Sequence, residues 1–188
     1  MEMNKVIAQE ELKMFGGTPE VFRYWNDLKD KHIDVLRCID VPQKGIQSCA
    51  SIGLNEIDVG LTSGEGELRV EILGACNVLM AKFENIVASV AFAIMDSHKC
   101  FPGYMVENVI EQYIQDCDMK HILLVNPFLW KNVESIFVND LCVSWLMIVP
   151  VSEAEYNYAG KNGIEKLENL FVEKQIDIYN IYRESIIK

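Results

Sequence analysis

The residues best suited to chemistry in this chain are six cysteines and three histidines. Thiolates and imidazoles serve as nucleophiles, general bases and metal ligands. No cysteine pair is spaced as C-x-x-C and the histidines are far apart, so the pattern gives no zinc site. Because most of the cysteines lie in apolar segments, we predict small buried side chains in a reducing compartment. The residues are Cys38, Cys49, Cys76, Cys100, Cys117, Cys142, His32, His98 and His121.

Other motifs that carry chemistry are missing from the sequence. It contains no nucleophile elbow, phosphate-binding loop, H-E-x-x-H pair or dinucleotide fingerprint. The Gly-Glu-Gly string at 64–66 lacks a following basic helix start, so we predict a solvated turn. Glu111, Asp116 and Asp118 lack the ligand number and the glycine of a calcium loop. We predict no catalytic residue, no metal and no cofactor, while an enzyme whose cysteine and histidine meet only in the fold remains an alternative.

The charge balance limits the possible partners. Against 17 basic residues the chain has 28 acidic ones, which gives a net charge of −11 and a pI near 4.7. Such a chain repels nucleic-acid phosphates and anionic lipid, so we predict no nucleic acid and no membrane as partner, and favour a basic protein. The N-terminus lacks the apolar core of a signal peptide, and the apolar runs are shorter than a membrane span. We therefore expect a cytoplasmic protein.

Acidic residues are concentrated in particular segments. Between Lys44 and Lys82 the only basic residue is Arg69. This stretch predicts an acidic surface that steers and holds a cationic protein, although ordinary solvated faces give the same pattern. The segments 107–118 and 134–155 are equally acidic and remain alternatives. The predicted partner-binding residues are Asn55, Glu56, Asp58, Glu65 and Glu67.

The elements that position these residues follow from hydrophobic periodicity. Apolar residues at helical spacing predict a helix over 3–15, which Gly16 and Gly17 end. A longer helix is predicted over 77–97, an apolar stretch without proline or glycine. Ser152 and Glu155 have the spacing of a capping box. Strands are predicted over 21–25, 33–41, 46–54, 68–73, 105–113, 121–125 and 141–149.

This order of elements predicts an α/β fold of the α+β type. A mixed sheet is packed by one long central helix and by helices at both ends of the chain. In the strand over 68–73 apolar and charged residues alternate, which predicts one buried and one solvent-exposed face. We expect a single domain over 1–188, with an N-terminal helix over 1–16 and a core from 17 onward.

Two strings carry a resemblance to a known family. SIGLNE at 51–56, followed by LRVEIL at 68–73, resembles the signature of suppressor-of-fused (SUFU) domains, where a GLS[D/E]-like turn precedes an acidic, arginine-bearing strand. The chain looks most like the YqcF-type antitoxins, the immunity partners of LXG polymorphic toxins. The resemblance extends from about Gly17 to the C-terminus. Its further segments are 101–103, 119–124, 127–130, 143–147, 149–155 and 167–178.

The resemblance implies a mixed α/β domain without a known catalytic centre that binds a toxin and neutralises it. Nuclease domains are the usual cargo of such toxins, and a nuclease needs basic residues to hold nucleic acid. An acidic inhibitor fits that requirement. We therefore predict an immunity protein for a cognate LXG-type toxin. A regulatory scaffold that sequesters another protein remains an alternative.

Overall fold

One mixed β-sheet, covered by helices on both faces, forms the frame of the molecule. The computed structural model describes residues 2–64, 66–138 and 140–188. This architecture confirms the predicted fold class. The helices are α1 Glu2–Phe15, α2 Phe83–Ser97, α3 Glu153–Asn162 and α4 Ile164–Lys174. The strands are β1 Pro19–Trp25, β2 His32–Ile39, β3 Ile46–Ile52, β4 Leu61–Ser63, β5 Gly66–Asn77, β6 Met105–Val106, β7 Met119–Val125, β8 Ile136–Val138 and β9 Leu141–Ser152.

The two longest strands, β5 and β9, lie side by side at the centre of the sheet. Each has 12 residues, and they pair in parallel with Glu67 opposite Leu141. The main strand order is β1-β2-β3-β5-β9-β7-β6. The short strands β4 and β8 pair with the N-terminal parts of β5 and β9, antiparallel in both cases. β4 and the start of β5 thereby form an antiparallel pair at one end of the central strand pair.

The sheet separates two hydrophobic cores. α2 packs on one face and contributes Phe83, Ile86 and Ile94, all at most 1% exposed. The other core includes Ile7 of α1, Ala159 of α3 and Leu167 of α4. Burial of each large apolar side chain contributes about 1.5 to 3 kcal/mol, so the helices are fixed mainly through these stripes. α2 therefore forms a rigid support for the loops at its ends.

Two of the predicted helices begin or end as the sequence indicates. α1 is confirmed, and Gly16 follows it with a positive φ of 70°. Ser152 and Glu155 form the predicted capping box at the start of α3. Glu155 also receives a bidentate ion pair from Arg183, at 2.6 and 2.7 Å. This buried pair ties the C-terminal tail to the sheet.

Other local predictions are wrong, each for a tertiary reason. The helix expected from 77 begins only at Phe83, because the preceding residues continue β5 and its turn. The strand expected over 105–113 is only Met105–Val106, followed by a 3-10 helix at Ile110–Gln112, since β7 pairs with only those two residues. β8 was not predicted and pairs with the start of β9.

The alternation of apolar and charged residues in β5 also led to a wrong prediction. Glu71 lies in the strand segment predicted to have one solvent-exposed face, yet its side chain is fully buried. The strand is covered on both faces, because α2 packs on one side and α1 on the other. The strand therefore has no solvent-exposed face at Glu71, whereas its first residues remain partly exposed.

Candidate partner-binding site

The buried carboxylate of Glu71 organises the turn that begins the predicted site. Its Oε1 accepts hydrogen bonds from the backbone N–H groups of Gly53 at 2.9 Å and Asn55 at 3.0 Å. Its Oε2 accepts from the Ser51 hydroxyl and, at 3.3 Å, from the Leu54 N–H. Gly53 has a φ of 109°, a conformation that side-chain-bearing residues rarely adopt. The 51–56 string is therefore wrapped around a carboxylate from the 68–73 string.

Two buried carboxyl groups lie in this region. Burial raises the pKa of Glu71 to about 7, while the hydrogen bonds from Ser51 and Asn55 oppose the rise. Glu11 of α1 is also fully buried, and burial raises its pKa well above the ordinary value. The charge of Glu71 raises it further, while a hydrogen bond from Trp145 at 3.0 Å lowers it. Glu71 holds the turn through these hydrogen bonds, and Glu11 links α1 to β9 through Trp145.

Asn55 belongs to this support and not to an exposed surface. It is 3% exposed, and its Nδ2 donates to Glu71 Oε1 and to Asn4 Oδ1, both at 2.8 Å. Asn4 in turn donates to the exposed Glu56 at 2.8 Å. Asn55 therefore positions the turn against α1. The prediction that Asn55 presents its side chain to a partner therefore needs correction, because that side chain is buried.

We call the remaining predicted acids Glu56, Asp58 and Glu67 the acidic loop, since Glu56 and Asp58 precede β4 and Glu67 lies near the start of β5. Glu65 lies outside the described residues. Asp58 and Glu67 both pair with the guanidinium of Arg69, at 2.9 and 2.7 Å. The side chains of both acids are about three-fifths exposed, at 63% and 59%, and that of Arg69 is 12% exposed. One cation thus aligns two carboxylates and leaves the group net negative.

A second contact fixes the acidic loop to the end of α2. His98, which follows α2, donates from Nδ1 to the backbone carbonyl of Asp58 at 2.8 Å. The N–H of Gly60 donates to the Asp58 carboxylate at 2.8 Å and lowers its pKa, as does the charge of Arg69. The carboxylate of Asp58 is therefore ionised and held in place at neutral pH. A fixed anionic group of this kind is suited to recognition of a cation.

Comparison with known proteins connects this turn and strand to a family. The family model described as Suppressor of fused protein (SUFU) matches residues 29–184. The chain belongs to the SUFU family. It is 41% identical over 186 residues to the immunity protein YqcF of Bacillus subtilis (strain 168), covering 98% of this chain and 97% of that protein. This similarity confirms the predicted immunity-protein role.

Solved structures of SUFU proteins share the fold. A SUFU homolog from Neisseria gonorrhoeae FA 1090 superposes with a TM-score of 0.76 at 17% identity, covering 100% of this chain and 98% of that chain. A chain of the Sufu–Fu complex gives a TM-score of 0.65 at 14% identity, covering 97% and 91%. These similarities concern the arrangement of helices and sheet.

The SUFU family consists of regulatory and binding proteins. In this chain the ring of His121 is engaged in structural contacts, as expected for such a protein. His121 is 2% exposed and accepts a hydrogen bond at Nδ1 from the Asn108 N–H at 3.0 Å. Its Nε2 therefore carries the proton and donates to Glu153 at 3.0 Å, a bond that lowers the pKa of Glu153. Both ring nitrogens are engaged, so His121 has no lone pair available for general-base catalysis.

The cysteines of this SUFU chain are unpaired thiols, mostly buried. Five are buried and Cys117 is half-buried. Burial raises the pKa of Cys76 and of Cys100 to about 12. Protonated thiols of this kind are poor nucleophiles and poor metal ligands. Within the described part of the chain, no three His, Cys, Asp or Glu side chains converge as metal ligands, and no helix is long and apolar enough to cross a membrane.

Sequence reasoning missed Glu71, Asn4 and the organising role of Arg69. The available signal for Glu71 was a carboxylate inside an otherwise apolar strand, and for Arg69 its position as the only basic residue between Lys44 and Lys82. No local sequence pattern indicated the role of Asn4, because its contact with Asn55 joins residues 51 positions apart.

Proposed function

We propose that this protein binds and neutralises a cognate LXG-type nuclease toxin in the cytoplasm of the cell that makes both. The acidic loop is its contact surface, and the protein performs no chemistry of its own. A nuclease domain carries basic residues where nucleic acid lies. An inhibitor that presents carboxylates to those residues blocks the site and competes with the phosphate backbone.

The observation that carries this proposal is the alignment of Asp58 and Glu67 on either side of Arg69. The cation is only 12% exposed and lies beneath two exposed carboxylates, so the outward charge is negative. The turn before Glu56 and the backbone of Asp58 do not need to be ordered on binding, because Glu71 and His98 already fix them. Preorganisation of this kind lowers the entropic cost of association.

The absence of catalysis is supported by the state of the candidate groups. His121 is engaged at both nitrogens, and the pKa values of the deepest thiols are raised by burial. The raised pKa values of the carboxyl groups of Glu11 and Glu71 are explained by burial, and the carboxylate of Glu71 is occupied by the backbone of the turn. We expect the purified protein to leave nucleic acid intact.

For the test, the genes near this one are searched for an LXG region, and the toxin domain that follows it is the binding partner used. The loop variant combines Glu56→Gln, Asp58→Asn and Glu67→Gln, which remove charge but keep side-chain size. The control variant combines Glu165→Gln, Glu168→Gln and Glu173→Gln on α4 and removes the same charge elsewhere. Association with the toxin domain is followed by stopped-flow fluorescence at low and high salt, together with protection of cells that express the toxin.

We expect the loop variant to associate about tenfold more slowly at low salt, with a difference that shrinks as salt screens the charges. The control variant should resemble the wild type. Equal slowing in both variants would mean that only net charge matters, and an unaffected loop variant would place the interface elsewhere. A wild-type protein that neither binds nor protects would overturn the immunity function against this toxin.

A further inference from the structure

A groove lies on the α2 face of the sheet, beside the hairpin that joins β1 to β2. Its volume is about 550 Å³. One wall is the hairpin from Trp25 to Lys31, the floor includes Ala88 and Phe92 of α2, and the far wall follows β6 and includes Val109. We call it the hairpin groove. Three separate parts of the chain thus enclose a cleft that is open to solvent.

The hairpin wall is held rigid by one side chain. The Asn26 side-chain oxygen accepts from the backbone N–H groups of Asp30 and Lys31, both at 3.1 Å. Its amide nitrogen donates to the Asp30 carboxylate at 2.7 Å. These bonds satisfy the polar groups inside the loop, so the tip has a fixed conformation in the free protein.

This rigid tip exposes large apolar side chains. Leu28 is 82% exposed and Trp25 is 53% exposed, whereas Trp130 and Trp145 are 7% and 4% exposed. Tryptophan is among the residue types enriched at binding hot spots, and the exposed leucine beside it extends the apolar lip of the groove. Neither side chain is needed by either core, since both lie outside them.

Carboxylates surround the apolar lip. Asp27, Asp30, Asp96 and Glu107 line the groove together with a single basic residue, Lys31. Lys31 is neutralised by Asp96 at 2.5 Å. The lining therefore has a net charge of −3. An occupant with complementary chemistry carries lysine or arginine around an apolar side chain.

The hairpin groove and the acidic loop both adjoin the C-terminal end of α2. Asp96 lies in the groove, and His98, two residues later, holds the backbone of Asp58. A partner centred on the acidic loop therefore reaches the groove without crossing the sheet. The two surfaces contribute differently to toxin binding, since exposed charges mainly raise the association rate and apolar anchors lower the dissociation rate.

We propose that the hairpin groove is the anchoring site for a basic, amphipathic segment of the cognate toxin. An apolar side chain of that segment packs against Trp25 and Leu28, and its lysines or arginines face Asp27, Asp30 and Glu107. This inference rests on the proposed function and adds to it the site and the chemistry of the tightest contact.

The first test observes Trp25 directly in the unmutated protein. The chain has three tryptophans, so labelling with 5-fluorotryptophan gives three fluorine NMR resonances, and Trp25→Phe assigns the exposed one. The same toxin domain, unlabelled, is added to saturation. We expect the Trp25 resonance to shift or broaden, while those of Trp130 and Trp145 change little. A saturated complex with an unchanged Trp25 resonance would overturn the groove and leave the immunity function standing.

The second test compares two equally exposed apolar residues. Leu28→Asp places a further carboxylate at the lip, whereas Val172→Asp makes the same change on α4, where Val172 is 78% exposed. We expect Leu28→Asp to weaken toxin binding about 30-fold or more through faster dissociation, the size of a hot-spot loss, and Val172→Asp to change it about twofold or less.

The outcomes distinguish the two proposals. Equal affinities of the two variants for the toxin domain would overturn the groove, and thermal unfolding of both variants checks that each remains folded. Failure of the wild type to bind the toxin domain at all would overturn the proposed function and the groove with it.

Discussion

The Asn55 side chain donates to the carboxylate of Glu71 at 2.8 Å, and the backbone N–H of Asn55 donates to the same oxygen at 3.0 Å. A single strand residue thus fixes both the main chain and the side chain of a turn 16 positions earlier. Since Glu71 is buried at the centre of the sheet, the turn takes its position from the core. The acidic loop that follows is placed by the same contact.

Substitution of Asn55 tests whether it supports the site or contacts the partner. Asn55→Ala removes the bonds to Glu71 and Asn4, so we expect the free energy of unfolding to fall by about 2 kcal/mol. Glu56→Ala, one residue later and exposed, should have a much smaller effect. Urea denaturation measures both. A stable Asn55→Ala protein that loses toxin binding would return Asn55 to the interface.

The raised pKa of Glu71 predicts a specific pH dependence. Its folded-state pKa is about 7, above that of an unfolded glutamate, so the folded chain binds the extra proton between the two values. The resulting stability is fully present below the unfolded pKa and is lost as pH rises through 7. Between about pH 5.5 and 8.5 the free energy of unfolding should fall by about 2 kcal/mol relative to Glu71→Gln.

The measurement is urea unfolding of the wild type and Glu71→Gln across that pH range. Glu11 is present in both proteins, but the charge of Glu71 raises its pKa, so the difference between the profiles reports Glu71 together with its coupling to Glu11. Parallel profiles would show that the carboxyl titrates outside this window, and that its hydrogen bonds outweigh the effect of burial.

The buried thiols should react slowly in the native protein. A thiolate is the attacking form, and burial raises the pKa of Cys49, Cys76, Cys100 and Cys117. A disulfide-exchange reagent at about pH 8 should find six thiols after denaturation and react fastest with half-buried Cys117 in the native state. Cys117→Ser should remove that phase. Fewer than six thiols in the denatured, anaerobically prepared protein would contradict the reduced state.

Local sequence patterns determined the elements whose burial follows from their own composition. The apolar helix around Ile86 and Ile94, the strand at Met119–Val125 and the capping box of Ser152 and Glu155 are all present. Each depends on residues within a few positions of one another, so hydrophobic periodicity and capping chemistry suffice to predict them. The net charge, which favours a basic partner, is likewise a property of composition.

Only the tertiary structure decided which polar residues face the solvent. Glu71 and Asp58 are both acids near the same turn, yet one is buried beneath five hydrogen-bond donors and the other is exposed beside Arg69. The hairpin groove likewise joins Trp25, Phe92 and Glu107, which are far apart in the chain. Burial and surface charge arise when distant segments pack together, and the spacing of residues along the chain does not record which segments will meet.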